Sequence, residues 1–177
     1  MHYKTYYESP IGRIALTSDG TNLTGLWLPK HKDFEQQYNE TLREAELPVF
    51  DKVSNWLNDY FSGNNPEINF PLAPEGTEFR KRVWNLLLKI PYGETVTYGD
   101  IAQDIARQLG KEKMSSQAVG GAVGSNPISI IIPCHRVVGK DGNLTGYGGG
   151  IDTKIALFKI EQMNMANYYR PKFSTKP

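Results

Sequence analysis

One cysteine, Cys134, stands among 177 residues. No intramolecular disulfide can form, and no multi-cysteine zinc or iron–sulfur site can be assembled. Three histidines occur, His2, His31 and His135, which argues against a histidine-built metal centre. No metal or cofactor is therefore expected. No apolar run approaches the roughly 20 residues that span a bilayer, and Met1-His2-Tyr3-Lys4 opens the chain without an apolar signal segment. The expected compartment is the reducing cytoplasm, where a lone thiol stays free. Neither sign of charge dominates, with a net charge of +1. What remains is a globular composition, 39% hydrophobic and 22% charged, long enough for one medium domain or two small ones.

The near-neutral total hides an asymmetry. Residues 1–74 carry six Lys/Arg against ten Asp/Glu, a balance of −4, and residues 75–177 carry fourteen against nine, a balance of +5. A sign change between halves suggests that one half meets a polyanion, with ordinary surface scatter as the alternative. Between them, the stretch from Asn64 to Pro74 holds Pro66, Pro71 and Pro74 and reads as an extended linker, because proline continues neither a helix nor a central strand. The expected division is a domain over 1–73, a second over 74–165 and a tail over 166–177.

In the first half, Tyr3–Tyr7, Ile11–Thr17 and Leu23–Leu28 read as strands, with turn signals at Ser9-Pro10 and Asp19-Gly20. Phe50 to Phe61 has helical apolar spacing and stops at Gly63. A small antiparallel sheet with a helix on it follows, with nothing in it that suggests chemistry.

The second half is mostly helical. Thr77–Lys89 places Phe79, Val83, Leu86 and Leu87 on one face, with Ile90 in line. Thr97 and Asp100 form a capping box for a second helix that ends at Gly110. A third starts at Ser115 or Ser116 and runs to Gly124, built from small residues. Two helices with a short connection fit a helix-turn-helix. Each glycine costs a helix about 1 kcal/mol relative to alanine, so Gly120, Gly121 and Gly124 imply close approach of another backbone or tight packing in the core. Ile128–Ile132, bracketed by prolines, predicts a buried strand. Val137–Lys140 and Leu144–Tyr147 around Asp141-Gly142 predict a hairpin, the outline of a winged variant. Asp152 is expected to cap a final helix through Met163.

Cys134 lies in Ile132-Pro133-Cys134-His135-Arg136-Val137. A neighbouring histidine and arginine favour the nucleophilic thiolate, although a lone cysteine is by itself most often an inert small apolar side chain. Neighbours in a regular strand point to opposite faces. His135 can then serve Cys134 only through a backbone kink, which Pro133 makes available, or a bridging water.

That hexapeptide, preceded by Val119-Gly120-Gly121-Ala122 and Asn126-Pro127 and followed by Thr145-Gly146-Tyr147 and a helix to Glu161, resembles the signature of the O6-alkylguanine-DNA alkyltransferases. The likeness is strong over residues 77–161. The first half resembles the family's ribonuclease-H-like partner domain more weakly. The resemblance implies an α+β fold, a small ribonuclease-H-like antiparallel sheet domain followed by a mostly helical winged helix-turn-helix domain. It also implies direct reversal of DNA damage. The second helix of the motif enters the minor groove, the alkylated guanine is flipped out, and Cys134 takes the alkyl group from O6 once and is not regenerated.

Carried over by position, Cys134 is the alkyl acceptor, His135 takes its proton through a water, and Glu161 orients and charge-stabilises His135. Asn126 holds the turn after the recognition helix. Tyr98 contacts phosphate and donates a proton toward the guanine ring, and Tyr147 walls the pocket. The carbonyls of Cys134 and Val137 accept from the guanine amine, and the Gly148 N–H faces O6. Ser116, Gln117, Ala118, Gly121 and Arg136 face the DNA. The implied partner is double-stranded DNA carrying O6-alkylguanine, with O4-alkylthymine left open. No membrane is involved, and suicide stoichiometry needs only a monomer.

The chain departs from the family pattern in three places. Gln117 stands where an arginine commonly fills the gap left by the flipped base. The segment Arg107–Met114 is longer than in compact members, and its Lys111 and Lys113 are candidates for phosphate contacts. Gln162 replaces the usual small residue after Glu161, and Ile160 the usual histidine before it. The competing classes are a binder that marks the lesion without chemistry, a winged-helix regulator that reads the major groove, and a cysteine hydrolase.

Overall fold

The computed structural model describes residues 2–29, 42–144, 147 and 150–169. The chain divides into two compact units. One runs to Glu75 and includes Pro127–Ile131. The other holds Gly76–Asn126 and the chain from Ile132 onward. Pro127–Ile131, expected in the second domain, thus belongs with the first unit.

In the first unit, β1 (Tyr3–Ser9) and β2 (Gly12–Ser18) form an antiparallel hairpin, with β3 (Leu23–Trp27) antiparallel on the far side of β2. A two-residue strand, β4 (Arg43–Glu44), adds in parallel to β1, giving the order β3-β2-β1-β4. Helix α1 (Pro48–Phe61) buries Val49, Phe50, Val53, Trp56, Leu57 and Tyr60, the stripe that its apolar spacing predicts. The proline-rich connector keeps its extended form by pairing. Leu23 N–H donates to the Pro71 carbonyl at 2.9 Å, and Ala73 N–H to the Leu23 carbonyl at 2.8 Å.

The expected strand Ile128–Ile132 does not form. Leu26 N–H donates to the Pro127 carbonyl and Ser129 N–H to the Leu26 carbonyl, a single parallel bridge at Ile128. The chain then turns through Ile130, whose φ of 69° is the left-handed region. A β-branched residue there interrupts any continuing ladder.

The second unit is helical. Helix α2 (Glu78–Leu87) is capped by the Thr77 side chain and buries Val83, Trp84 and Leu87. The two-residue strand β5 (Val96–Thr97) runs into α3 (Tyr98–Leu109), which has the full Thr97–Asp100 capping box and ends on left-handed Gly110. Helix α4 (Ser116–Gly124) is capped by Ser115 and buries Val119, Ala122 and Val123. The Trp84 indole ties α2 to the end of α4 by donating to the Ala122 carbonyl at 2.8 Å.

Strand β6 (Val137–Val138) pairs in parallel with β5, not with a following hairpin arm. The Asp141-Gly142 turn does form, with φ of 62° and 88°, as that dipeptide favours. Across it Gly139 N–H donates to the Asn143 carbonyl at 2.7 Å, Leu144 N–H bonds the Tyr169 carbonyl, and Thr145 and Gly146 of the expected second arm lie outside the described residues. The last helix, α5 (Ile151–Ile160), starts on Gly150 without a side-chain cap, and Asp152 sits in its first turn. It ends earlier than expected because Gln162 adopts φ 61° and Met163 N–H bonds back to the Phe158 carbonyl at 3.0 Å, a Schellman-type stop. None of the described helices is long and apolar enough to cross a membrane.

Candidate active site

The thiol sits on a single 3-10 turn, Cys134–Arg136, begun by Pro133. Cys134 N–H donates to the Ile132 carbonyl at 2.8 Å and Arg136 N–H to the Pro133 carbonyl at 3.0 Å. This turn supplies the kink that was one of the two expected routes, since successive side chains no longer alternate between two faces. Cys134, His135 and Arg136 are all buried.

His135 and Glu161 meet inside the unit. The His135 Nε2 lies 2.5 Å from Glu161 Oε2, and both side chains are fully buried. The other carboxylate oxygen accepts from Arg136 Nε at 2.9 Å and from the Gly93 N–H at 3.0 Å. Three nitrogens thus converge on the two carboxylate oxygens of Glu161. His135 is pulled below its ordinary range, chiefly by burial. The Glu161 carboxylate works the other way, while Arg136 and Lys154 add to the depression. With Nε2–H assigned to Glu161, Nδ1 is the basic nitrogen, and it makes no hydrogen bond among the described residues.

Asn126 joins the end of α4 to the thiol's own segment, its Nδ2 donating to the Ile132 carbonyl at 2.8 Å. Tyr98, the first residue of α3, has its phenol pushed well above the usual range by burial and by Cys134. Tyr147 is buried too, and burial, with Cys134 adding to it, raises its phenol in the same way. Val137 is buried, with its carbonyl accepting from Lys154 Nζ at 2.6 Å. One lone pair of that oxygen remains for a second donor. Gly148 lies outside the described residues.

Two placements differ from expectation. Arg136, expected on the DNA, is buried. Its guanidinium spans Glu161 and the Ile90 carbonyl, at 2.8 Å from Nη1, and stacks over Tyr92 at 5.8 Å. The carboxylate it neutralises explains the inward turn. Lys154 was missed. It is fully buried on α5, its Nζ 5.8 Å from the centre of the Tyr147 ring. Burial lowers it to about 8, and Cys134 partly opposes that shift. By the same attraction Lys154 favours the thiolate. A signal was available, since Lys154 shares the inner face of α5 with Leu157, Phe158 and Glu161 at positions three, four and seven residues on.

On α4, Ser116, Gln117, Ala118 and Gly121 are all exposed and share its outer side. A methyl group added at Gly121 would meet nothing within 4 Å, and one at Gly120 only the edge of the Tyr98 ring at 4.0 Å. The chain's own packing therefore does not demand glycine at 121. Lys111 and Lys113 are exposed on the connection leading into this helix.

The 6-O-methylguanine DNA methyltransferase models match here, the ribonuclease-like domain over residues 2–74 and the DNA-binding domain over 78–163. The methylated-DNA–protein-cysteine methyltransferase of Haemophilus influenzae is 47% identical over 166 residues, covering 91% of this chain and 87% of that one. Its namesake in Methanosarcina acetivorans is 46% identical over 159 residues, covering 90% and 97%. The crystal structure of Mycobacterium tuberculosis OGT in complex with DNA superposes with a TM-score of 0.77 at 41% identity, covering 90% of this chain and 92% of that one. This chain belongs to the 6-O-methylguanine DNA methyltransferase family.

Proposed function

We propose that this chain repairs DNA by direct reversal, moving the alkyl group from O6 of an alkylated guanine onto Cys134 in one irreversible step. Relatives named methylated-DNA–protein-cysteine methyltransferases support an acceptor cysteine, and this chain has one cysteine to offer. The observation that carries the reading is the setting of that thiol. It lies on a kinked turn beside a buried His135–Glu161 pair, two buried cations and two tyrosines near it.

The step balances as an in-line displacement. His135 Nδ1 takes the thiol proton, through a water, and the Glu161 carboxylate compensates the imidazolium. The thiolate attacks the alkyl carbon, a carbon–sulfur bond forms, and the carbon–O6 bond breaks with its electron pair passing to the guanine. Tyr98 delivers a proton toward the purine ring. Tyr147 walls the pocket, the Cys134 and Val137 carbonyls and the Gly148 N–H read the guanine edges, and Asn126 holds the cysteine segment. Lys154 stabilises the thiolate before attack. No later step returns the thiol, so one molecule repairs one lesion.

Duplex DNA carrying O6-alkylguanine is the substrate. Ser116, Gln117, Ala118 and Gly121 form the contact face, and close approach of a DNA backbone is the reason for glycine at 121. One copy supplies every residue named, so the acting species is a monomer, in a reducing cytoplasm that keeps Cys134 free. Replacing Cys134 by Ser tests the assignment. The variant is expected to bind methylated duplex and transfer nothing, and residual transfer would refute the role of Cys134.

A further inference from the structure

The segment after α5 crosses back over the unit and closes on two places at once. Asn164 caps a short turn, Met165–Asn167, by accepting from the Ala166 N–H at 3.0 Å. Tyr169 then pairs with the Asp141-Gly142 turn, its N–H donating to the Gly142 carbonyl at 3.1 Å and its carbonyl accepting from Leu144 N–H at 2.9 Å. The approach is so close that a methyl group at Gly142 would strike the Asn167 carbonyl oxygen at 2.0 Å. Between these anchors the Tyr168 ring meets Phe158 edge-on at 5.2 Å, and its hydroxyl lies 2.9 Å from the Thr95 hydroxyl. Met163, Met165 and Tyr168 cover the apolar cluster of Val138, Leu144 and Phe158.

The sequence positions of these anchors are informative. Leu144 stands three residues before Tyr147, and Thr95 three residues before Tyr98. Cys134 contributes to raising the phenols of both tyrosines, which sets the two near the thiol. We propose that the segment Asn164–Tyr169 is a positioning strap for the base pocket, in which Tyr168, bonded to Thr95, and Tyr169, bonded to Gly142 and Leu144, fix the chain ahead of Tyr98 and Tyr147 without touching the base. The inference rests on the reading of those tyrosines as pocket walls. The strap contacts neither Cys134, His135 nor Glu161 in any hydrogen bond or ring contact found among the described residues, so its effect falls on holding the base and not on the thiol's reactivity.

The experiment follows alkylation of Cys134 by free O6-benzylguanine as a function of base concentration, beside its alkylation by iodoacetamide. Tyr168→Phe, which removes one hydroxyl, is expected to raise the half-saturating base concentration about fivefold, the worth of one hydrogen bond. A chain ending at Met163 is expected to raise it about tenfold or more. In both, the iodoacetamide rate and its pH profile do not fall. Unchanged half-saturation, or a parallel fall in both reactions, overturns the proposal. If the shortened chain does not fold, Tyr168→Phe decides alone. Wild-type chain left unalkylated by duplex DNA carrying O6-methylguanine would instead refute the functional reading beneath it.

Discussion

Arg136 Nε donates to Glu161 Oε1 at 2.9 Å, on the carboxylate whose other oxygen binds His135. The pair is buried on both sides, so the guanidinium is committed to the interior. Removing one partner of such a pair leaves an uncompensated charge and costs about 3–5 kcal/mol. Arg136→Ala is expected to lose stability on that scale in denaturant titrations, with the salt dependence of DNA binding unchanged. A phosphate-contacting arginine would behave oppositely, reducing the salt slope by roughly 0.9 with little loss of stability. Lysine should rescue poorly, because it cannot span Glu161 and the Ile90 carbonyl together.

Gly121 separates the demands of folding from those of binding. Open space surrounds it in the chain's own structure. Gly121→Ala should therefore stabilise the protein by about 1 kcal/mol, a rise in Tm of about 2–4 °C. The same variant should react more slowly with alkylated duplex while reacting normally with free O6-benzylguanine. Equal rates on both substrates would show that no DNA backbone comes close at this position.

Lys154 sets stability against chemistry. Its folded value of about 8 lies below the ordinary 10.5. From about 8 to 10.5 the unfolded chain binds more protons than the folded one, so stability rises with pH across that window. Below it the burial cost is present in full. Lys154→Met should raise stability at pH 7 by something on the order of 1–3 kcal/mol, with the advantage shrinking as pH approaches 10.5. Transfer to Cys134 should slow, because the lost cation no longer favours the thiolate. Chemical denaturation at several pH values, with single-turnover rates, checks both signs.

Gln117 stands exposed on the outer side of α4. Glutamine can hydrogen-bond an orphaned base but adds no charge. Gln117→Arg should tighten binding to alkylated duplex, measured by titration at fixed salt. No change, or weaker binding, would remove Gln117 from the site of base extrusion.

How much of this was readable in the sequence depends on what kind of force places each residue. Strands β1 to β3, helix α1 and helices α2 to α4 follow from local periodicity, caps and Gly110, and they appear within a residue or two of their expected bounds. Ile128–Ile132 misled because an apolar run between prolines suits a buried turn as well as a strand, and φ at Ile130 is not written in composition. The Asp141-Gly142 turn forms as its dipeptide predicts, while β6 before it finds a parallel partner in β5, forty-one residues upstream, a pairing that no local signal gives. Among site residues, the His135–Glu161 pairing came from resemblance. The inward course of Arg136 and Lys154 depends on which carboxylate and carbonyl the fold brings within reach, and a charged side chain on an inner helix face is the one local hint.

The central claim is that Cys134 is the acceptor and is used once. The direct measurement is peptide mass spectrometry, with quantitation, after incubation with duplex DNA containing O6-methylguanine. The account predicts Cys134 carrying one methyl group in place of the thiol hydrogen, restored guanine, and a plateau at one lesion repaired per protein molecule. An unmodified Cys134 peptide beside repaired DNA, or repair continuing beyond one lesion per molecule, would contradict it.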